Sequence, residues 1–205
     1  MSAYARIAYT PGVRAVQQEM GSGLAGERRL RGPVEGTRLS EVESAFLRGL
    51  DGFVLGSVSE TGWPYLQYRG GPPGFLHVLD DTTIGWAEVR GNRQYVTQGN
   101  LRGAAEVSLF CLDQAAPARL KIYGRATSER VADVPELAGR LDAPRSEGKV
   151  EHVVTVHVAG FDWNCQKHIT RRYAVHELPE LARHIERLET ENTALRAELG
   201  HLRGE

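Results

Sequence analysis

Short apolar runs, many of them alternating with polar residues, fill the middle of the chain between residues 53 and 161. Runs of this length, bounded by glycine, proline or aspartate, predict β-strands joined by tight turns. We count about six such strands, with Asp80 and Asp81 as the turn of one hairpin. Because few helical patterns separate the runs, an antiparallel barrel or sandwich is favoured over a doubly wound parallel sheet. The expected fold is mostly β with a few helices.

Helical signals lie before the first strand and before the last one. Thr10 followed by Pro11 is typical of a helix N-terminus. Ser40 and Glu43 have the spacing of a capping box and predict a second helix. A third, short helix is predicted over residues 133–141. The chain is therefore expected to contain few helices outside its C-terminus.

Residues 21–26, GSGLAG, match the dinucleotide-binding pattern GxGxxG. That pattern marks a nucleotide site only when a strand precedes it and a helix follows it. Here a helix precedes the glycines, and a basic loop over residues 27–32 is expected to follow. We therefore reject a dinucleotide site and predict a flexible linker. Residues 1–39 are expected to form an N-terminal helix and linker, and residues 40–176 the sheet domain.

The last segment, residues 177–205, has the most regular periodicity in the chain. Two sets of residues recur every seven positions: Leu181, Leu188, Leu195 and Leu202 at heptad position d, and Ile185, Asn192 and Leu199 at position a. Leucine at d with a single asparagine at a is typical of a parallel two-stranded coiled coil. Glu191 would face Arg196 of a partner helix, and Glu198 would face Arg203. We predict a C-terminal coiled-coil helix that pairs in parallel. The alternative is an amphipathic helix packed on its own domain.

Charge and composition exclude several classes of function. The 25 Lys and Arg residues nearly balance the 26 Asp and Glu residues, and a net charge of -1 argues against general binding of nucleic acid or anionic membranes. No apolar run approaches the roughly 18 residues of a membrane span. Two cysteines, Cys111 and Cys165, form neither a disulfide framework nor a zinc motif. The N-terminal residues lack the apolar core of a signal peptide. We expect a cytoplasmic protein without a metal site.

Candidate chemistry concentrates between Trp63 and Leu101. Cations, an amide and two aromatic rings occur together there, and one cation follows in a later strand: Arg69, Arg90, Asn92, Arg93, Tyr68, Trp86 and Lys121. A helix is expected to begin at Gly91, which would put the neighbouring arginines in its first turn, where helices attract anions. A phosphate monoester needs such converging cations and amides. The stretch therefore predicts a site for a phosphate-bearing aromatic cofactor. A solvated surface charge is the alternative for any single arginine.

The chain resembles the pyridoxamine 5'-phosphate oxidase-like flavoproteins in four segments: PYLQYRGGPPGFLHVLDD, RGNRQYVTQGNL, LKIYGRA and FDWNCQKHI. Within that family it is most similar to the FMN-dependent subgroup marked by a glycine-proline loop, an RGN motif and a late WNC segment. The resemblance covers about residues 9–172. It implies a split β-barrel, the cofactor FMN, and a homodimer with two FMN sites at the subunit interface.

The resemblance also implies roles for individual residues. The implied cofactor-binding residues come from all four segments: Gln67, Tyr68, Arg69, Trp86, Ala87, Glu88, Arg90, Asn92, Arg93, Gln94, Lys121, Trp163 and Asn164. Those from Arg90 to Arg93 would hold the phosphate, and those from Trp86 to Glu88 would run beside the isoalloxazine ring. The late segment would reach the flavin of the partner subunit. His168, from the same segment, is the candidate proton carrier, with a structural histidine as the alternative.

The implied function is that of an FMN-dependent oxidoreductase acting on a small molecule. Gln166 and Lys167 stand where the subgroup usually has proline and glutamine, so the resemblance does not extend to a substrate. The basic residues that bind pyridoxal phosphate in the true oxidases are not recognisable, so oxidation of vitamin B6 is not expected. Two alternatives remain open: a non-catalytic flavin-binding or assembly protein, and an enzyme of the same fold that uses haem or a deazaflavin.

Overall fold

A computed structural model describes residues 1–174 and 178–203 of the chain. The strands are β1 (Gly52–Val58), β2 (Pro64–Gly70), β3 (His77–Asp80), β4 (Thr83–Val89), β5 (Glu106–Asp113), β6 (Ala118–Arg130) and β7 (Val150–Trp163). The helices are α1 (Ala3–Ala8), α2 (Pro11–Glu19), α3 (Gly23–Arg29), α4 (Glu41–Gly49), α5 (Val96–Gly103), α6 (Pro135–Arg140) and α7 (Pro179–Arg203). The chain forms two compact units. The first contains Met1–Asp113 and Ala118–Gln166, and the second contains Gln114–Pro117 and the described residues after Gln166.

The strands form one seven-stranded sheet in the order β2-β1-β5-β6-β7-β4-β3. Every neighbouring pair is antiparallel. The predicted antiparallel sheet is therefore confirmed, with seven strands where the pattern indicated about six, in a fold that mixes strands and helices. β2 and β3 follow each other in the chain but lie at opposite edges of the sheet, because β4 pairs with the last strand.

Contacts between distant strands show that the sheet is curled. The rings of Phe53 in β1 and Trp86 in β4 lie 5.1 Å apart, although three strands separate β1 from β4 in the sheet. Arg69, on the edge strand β2, forms an ion pair of 2.8 Å with Glu88 on β4. Among the described residues no ladder joins β2 to β3, so the barrel closes through side chains and remains split. This is the predicted split β-barrel.

Alternation along the strands fills the inside of the barrel with apolar side chains. In β6, every second residue from Leu120 to Ala126 is buried, while Lys121, Tyr123 and Arg125 between them are more exposed. The core also contains side chains from the other strands and from α4: Leu47, Phe53, Leu55, Trp86, Leu109, Val154 and Val156. This packing supplies the main stabilising term of the first unit.

The N-terminal segment differs from the predicted helix and linker. The helix that follows Thr10 is present as α2, but α3 occupies residues 23–26 of the glycine segment and the first half of the expected basic loop. The linker prediction is wrong there because this segment packs against α2 as a helix. A Cβ on Gly26 would lie 2.5 Å from Gln17 Oε1 of α2, so the glycine leaves room for the Gln17 side chain between the two helices. Arg29 of α3 then forms an ion pair with Asp162 of β7, which joins the segment to the sheet.

The C-terminal helix is confirmed as a continuous element that begins at Pro179. Pro179 lies at its start, where proline needs no partner for its missing N–H. The side chains of His201, Leu202 and Arg203, and residues 204–205, lie outside the described part of the chain. Within the described residues, no helix combines the length and apolar character needed to cross a membrane.

Stability should depend on pH through the half-buried imidazole of His77. His77, at the start of β3, forms a hydrogen bond with the backbone of Pro144. Burial lowers the pKa of its imidazole below the usual 6.5. The unfolded chain therefore takes up this proton at a higher pH than the folded chain does, so stability should fall as pH drops below about 6.5. In His77→Asn, thermal unfolding between pH 7.5 and 5 should depend less on pH than in the wild type. His157→Asn, at an exposed position of β7, is the control. Equal pH dependence in wild type and His77→Asn would contradict the assignment.

Candidate functional site

A cleft of ≈ 300 Å³ lies in the first unit between β2, β4, the start of α5 and the start of β7. Its volume is at the lower end of the range for small-molecule sites. Ten of the thirteen predicted cofactor-binding residues line it: Gln67, Tyr68, Arg69, Trp86, Ala87, Glu88, Arg90, Asn92, Arg93 and Gln94. Curling of the sheet is what brings them together, because β2 and β4 approach each other only across the split of the barrel.

Arg69 is held rigidly at one wall of this cleft. Its Nε donates to Glu88 Oε2 at 2.9 Å, and its Nη2 lies 2.8 Å from Glu88 Oε1, so the two side chains form a bidentate ion pair. Nη2 also donates to the hydroxyl of Thr97 at 3.3 Å. Trp86 Nε1 donates to the same carboxylate at 2.8 Å and fixes its position. The pairing orients the guanidinium but also neutralises its charge.

Trp86 does not offer a flat surface to a ligand. Its side chain is 1% exposed and packs edge-to-face on Phe53 in the core. The prediction of a ring surface at Trp86 is therefore wrong, because the strand alternation turns this side chain inward. Tyr68 is 60% exposed, so its ring remains available. A Cβ on Gly52 would lie 1.9 Å from the Tyr68 hydroxyl, which shows that glycine at this position lets the ring lie against β1.

The segment from Arg90 to Tyr95 is a loop, and α5 begins only at Val96. The prediction that a helix starts at Gly91 is wrong because two residues have left-handed backbones, Arg93 with φ 63° and Tyr95 with φ 52°. A right-handed helix cannot include such residues. Asn92 Oδ1 accepts a hydrogen bond from the backbone N–H of Gln94 at 3.1 Å and closes the turn.

Arg90 is also paired. Its Nε donates to Glu151 Oε1 at 2.6 Å, and the Tyr95 hydroxyl donates to the other carboxylate oxygen at 2.9 Å. These two hydrogen bonds, the one from Arg90 foremost, lower the pKa of Glu151 below its usual value. Glu151 therefore stays ionised near neutral pH. Three arginines and two glutamates line the cleft, which leaves one net positive charge.

Several donors at the N-terminus of α5 lack a partner in the part of the chain that the structure describes. No side chain there caps this helix, although the backbone N–H groups of its first turn need acceptors. The buried Nε2 of Gln98 also lacks a hydrogen-bond partner among the described residues. Arg93, in the preceding loop, likewise forms no ion pair with any described residue. Together with the dipole of the helix, these groups create an end of the cleft that favours anions.

Other residues that line the cleft were not predicted: Tyr65, Tyr95, Thr97, Gln98, Ser146, Glu151 and His152. Thr97 and Gln98 belong to the RGNRQYVTQGNL segment, and a correctly placed helix start would have indicated them. Tyr65 could have been found from its spacing of two residues before Gln67, since alternate residues of a strand share a face. Glu151 and His152 come from β7, far along the chain, and only the pairing of β4 with β7 brings them to the cleft.

Three predicted binding residues lie in the first unit but do not line this cleft. Lys121 Nζ lies 4.7 Å above the ring of Tyr4. Trp163 Nε1 donates to Glu43 at 2.7 Å. The backbone N–H of Asn164 donates to a carbonyl of β6 at 2.9 Å. The expected place of Lys121 near the phosphate, and the expected contact of Trp163 and Asn164 with a partner's flavin, stay predictions. His168 belongs to the second unit, and its role as a proton carrier also stays a prediction.

Neither a family model nor a curated protein sequence matches the chain. Three solved structures illustrate its structural neighbours. HupZ of Group A Streptococcus is 13% identical and covers 65% of this chain and 99% of its own, with a TM-score of 0.48. A candidate pyridoxamine 5'-phosphate oxidase of Lactobacillus delbrueckii is 19% identical and covers 62% and 94%, with a TM-score of 0.47. An FMN-binding protein of Syntrophomonas wolfei is 14% identical and covers 75% and 97%, with a TM-score of 0.45. These similarities concern the fold alone, whereas a ligand is indicated by the residues of the cleft.

Proposed function

We propose that the protein is an FMN-dependent oxidoreductase of the pyridoxamine 5'-phosphate oxidase-like type that acts on a small molecule. The observation that carries this proposal is a cleft with an anion-binding end at α5, and Tyr68 is among the residues that line it. The four sequence segments that resemble this family support it, because two of them, PYLQYRGG and RGNRQYVTQG, meet in the cleft.

The phosphate is proposed to bind at the N-terminus of α5. Arg69 Nη2 lies 3.3 Å from Thr97 Oγ1, so the guanidinium and the hydroxyl can contact the same phosphate group. Arg93 adds a charge that no carboxylate neutralises among the described residues. A phosphate monoester brings roughly -1.5 to -2 charges. The net positive charge of the cleft and the helix dipole offset much of that charge, so the donor set fits a phosphate.

The flavin ring is proposed to lie toward Tyr68 and β4. Tyr68 offers an aromatic face, Gln67 and Gln94 offer side-chain amides, and Gln98 Nε2 offers an unused donor. Bound FMN would supply hydride transfer, which protein side chains cannot perform alone. The N–H donors of the cleft would orient the ring and stabilise the negative charge that reduction adds. Glu88 and Glu151 would keep Arg69 and Arg90 in place through their ion pairs.

A second copy of the barrel is proposed to complete the site. Tyr68 and Phe110 are the register partners of Val54, so the three side chains form one row across β2, β1 and β5. Tyr68 is 60% exposed and Phe110 38% exposed, and Leu66, on the same strand as Tyr68, is 68% exposed. Contiguous apolar surface of this kind is typical of protein interfaces. Because Tyr68 belongs to both the row and the cleft, a homodimer formed here would cover the ring side of the FMN.

A comparison of two ligands tests the proposed function. The purified protein should bind FMN with quenching of flavin fluorescence, and riboflavin, which lacks the phosphate, should bind at least about tenfold more weakly. A charge-assisted hydrogen bond contributes roughly 1.5–3 kcal/mol, and each 1.4 kcal/mol is a factor of ten in affinity. Equal affinity for both ligands would show that the phosphate is misplaced, and absence of FMN binding would overturn the proposal.

Turnover separates the enzyme from a flavin-binding protein. The FMN-loaded protein should oxidise NADH or NADPH in the presence of an electron acceptor, at a rate above that of free FMN. A protein that binds FMN without such turnover, across both nicotinamides and a panel of acceptors, would favour the non-catalytic alternative. Binding of haem or a deazaflavin in preference to FMN would favour the other alternative.

A further inference from the structure

Helix α7 carries an apolar stripe that is exposed along its described length. The leucines at heptad position d and the apolar residues at position a have exposed fractions between 37% and 59%: Leu181, Ile185, Leu188, Leu195 and Leu199. The helix has 25 residues, or about 37 Å at 1.5 Å per residue. A helix that exposes leucine at successive d positions leaves apolar surface in contact with water, and burying that surface is favourable.

We propose that α7 binds α7 of a second copy of this chain as a parallel, in-register, two-stranded coiled coil. This proposal does not depend on FMN, because it rests only on residues of the second unit. It commits to a second copy rather than a different protein, and to one orientation. Charges beside the stripe indicate that the partner is a second copy, and one polar residue within the stripe supports the parallel orientation.

The flanking charges complement those of an identical helix. In a parallel pair, a residue at position g faces position e of the next heptad on the partner helix. Glu191 at g then meets Arg196 of the partner subunit, and His184 at g meets Glu189 of the partner subunit. Among the described residues, neither Glu191 nor Arg196 takes part in an ion pair. The helix is thus complementary to itself.

An antiparallel pair would oppose like charges. Residue 191 lies at the middle of the helix, so full antiparallel overlap would bring position g of one helix against position g of the other and place Glu191 near its own copy. Like charges at such neighbouring positions are destabilising. The charge pattern therefore selects the parallel orientation.

Asn192 supports the same orientation and sets the number of helices. It occupies position a in the middle of the stripe and is exposed. In a parallel, in-register pair the two asparagine side chains meet and hydrogen-bond, whereas any other alignment places each against leucine or isoleucine. A single asparagine at position a is known to specify register and a two-stranded state at some loss of stability.

Site-specific cross-linking in the full-length chain tests this pairing. Cys165→Ser removes the exposed native thiol, whereas Cys111 is buried and its pKa is raised to about 12, so it does not react. In that background Leu195→Cys places a thiol at d, and Ala197→Cys places one two residues away on the outer face. Under mild oxidation the Leu195→Cys chain should form disulfide-linked dimers in several-fold higher yield than the Ala197→Cys chain.

A high yield of the Leu195→Cys disulfide would exclude a fully overlapped antiparallel pair. With full antiparallel overlap, residue 195 of one helix would lie opposite residue 187 of the other, so the two thiols introduced by Leu195→Cys would be about 12 Å apart along the axis at 1.5 Å per residue. A disulfide requires Cα atoms within about 7 Å. Weak cross-linking at both positions would overturn the proposal in favour of packing on another protein or on the own domain. Equal, strong cross-linking would show random collision and overturn it as well.

A second variant tests the role of Asn192 without disturbing the charges. Asn192→Leu should remain helical but should form more than one oligomeric state. Sedimentation should therefore detect species larger than the wild-type assembly. An unchanged assembly would contradict the role given to this side chain. Circular dichroism of each variant confirms that the fold is retained.

Discussion

Replacing Arg69 by alanine should lower the affinity for FMN by about ten- to a hundredfold. The substitution removes a guanidinium that donates to Thr97 at the proposed phosphate end, and hydrogen bonds to charged groups contribute roughly 1.5–3 kcal/mol. It also leaves the Glu88 carboxylate in the cleft without its cation, which repels a phosphate. Titration of the variant with FMN, followed by flavin fluorescence, measures the change.

Two further variants separate these contributions. Arg125→Ala removes an exposed arginine that pairs with Glu106 on the surface of β5 and β6, and its affinity for FMN should equal that of the wild type. Arg69→Ala combined with Glu88→Gln should bind FMN more tightly than Arg69→Ala alone, because the repulsive carboxylate is gone. If Arg69→Ala binds as well as the Arg125→Ala control, the phosphate lies elsewhere.

Replacing Trp86 by alanine should destabilise the protein by about 3–5 kcal/mol, the usual range for a buried tryptophan or phenylalanine. The side chain is 1% exposed, contacts Phe53 and donates its Nε1 hydrogen to Glu88. Trp86→Phe keeps most of the packing and should cost less. Urea unfolding, monitored by circular dichroism, measures both.

Trp63→Ala provides the matched control for this prediction. Trp63 is 75% exposed, so its loss should change the free energy of unfolding by no more than about 0.5 kcal/mol. Similar destabilisation by Trp86→Ala and Trp63→Ala would contradict the core position of Trp86. Trp86→Phe should also retain FMN binding, because its ring does not face the ligand. A large loss of affinity for FMN in a stable Trp86→Phe chain would instead support stacking of Trp86 on the flavin ring.

The order of the strands could not be read from the pattern of the chain. Alternation of apolar and polar residues is local, so it indicated where strands such as β1 and β7 lie. Pairing of β4 with β7 depends on a closing barrel, and the two strands are more than 60 residues apart in sequence. That pairing brings Glu151 and His152 into the cleft, which is why neither was predicted.

Local backbone geometry explains the misplaced helix start. Glycine is the main sequence signal for a left-handed backbone. In this loop, however, the left-handed residues are Arg93 and Tyr95, which have side chains, so no glycine marks the break before α5. Strained positions of this kind are stabilised by their surroundings and cluster at functional sites. Here the hydrogen bond from the Tyr95 hydroxyl to Glu151 helps to fix the loop.

The sequence by itself determined the strands, the C-terminal heptad helix and the short segments that supply most of the cleft. These depend on periodicity and spacing within a few residues, which the chain carries directly. Only the tertiary structure decided that Arg69 and Arg90 are paired with carboxylates while Arg93, among the described residues, is not, and that Trp86 belongs to the core while Tyr68 faces out. Such properties depend on which strands become neighbours when the sheet curls, because charge pairing and burial are set by contacts between distant parts of the chain.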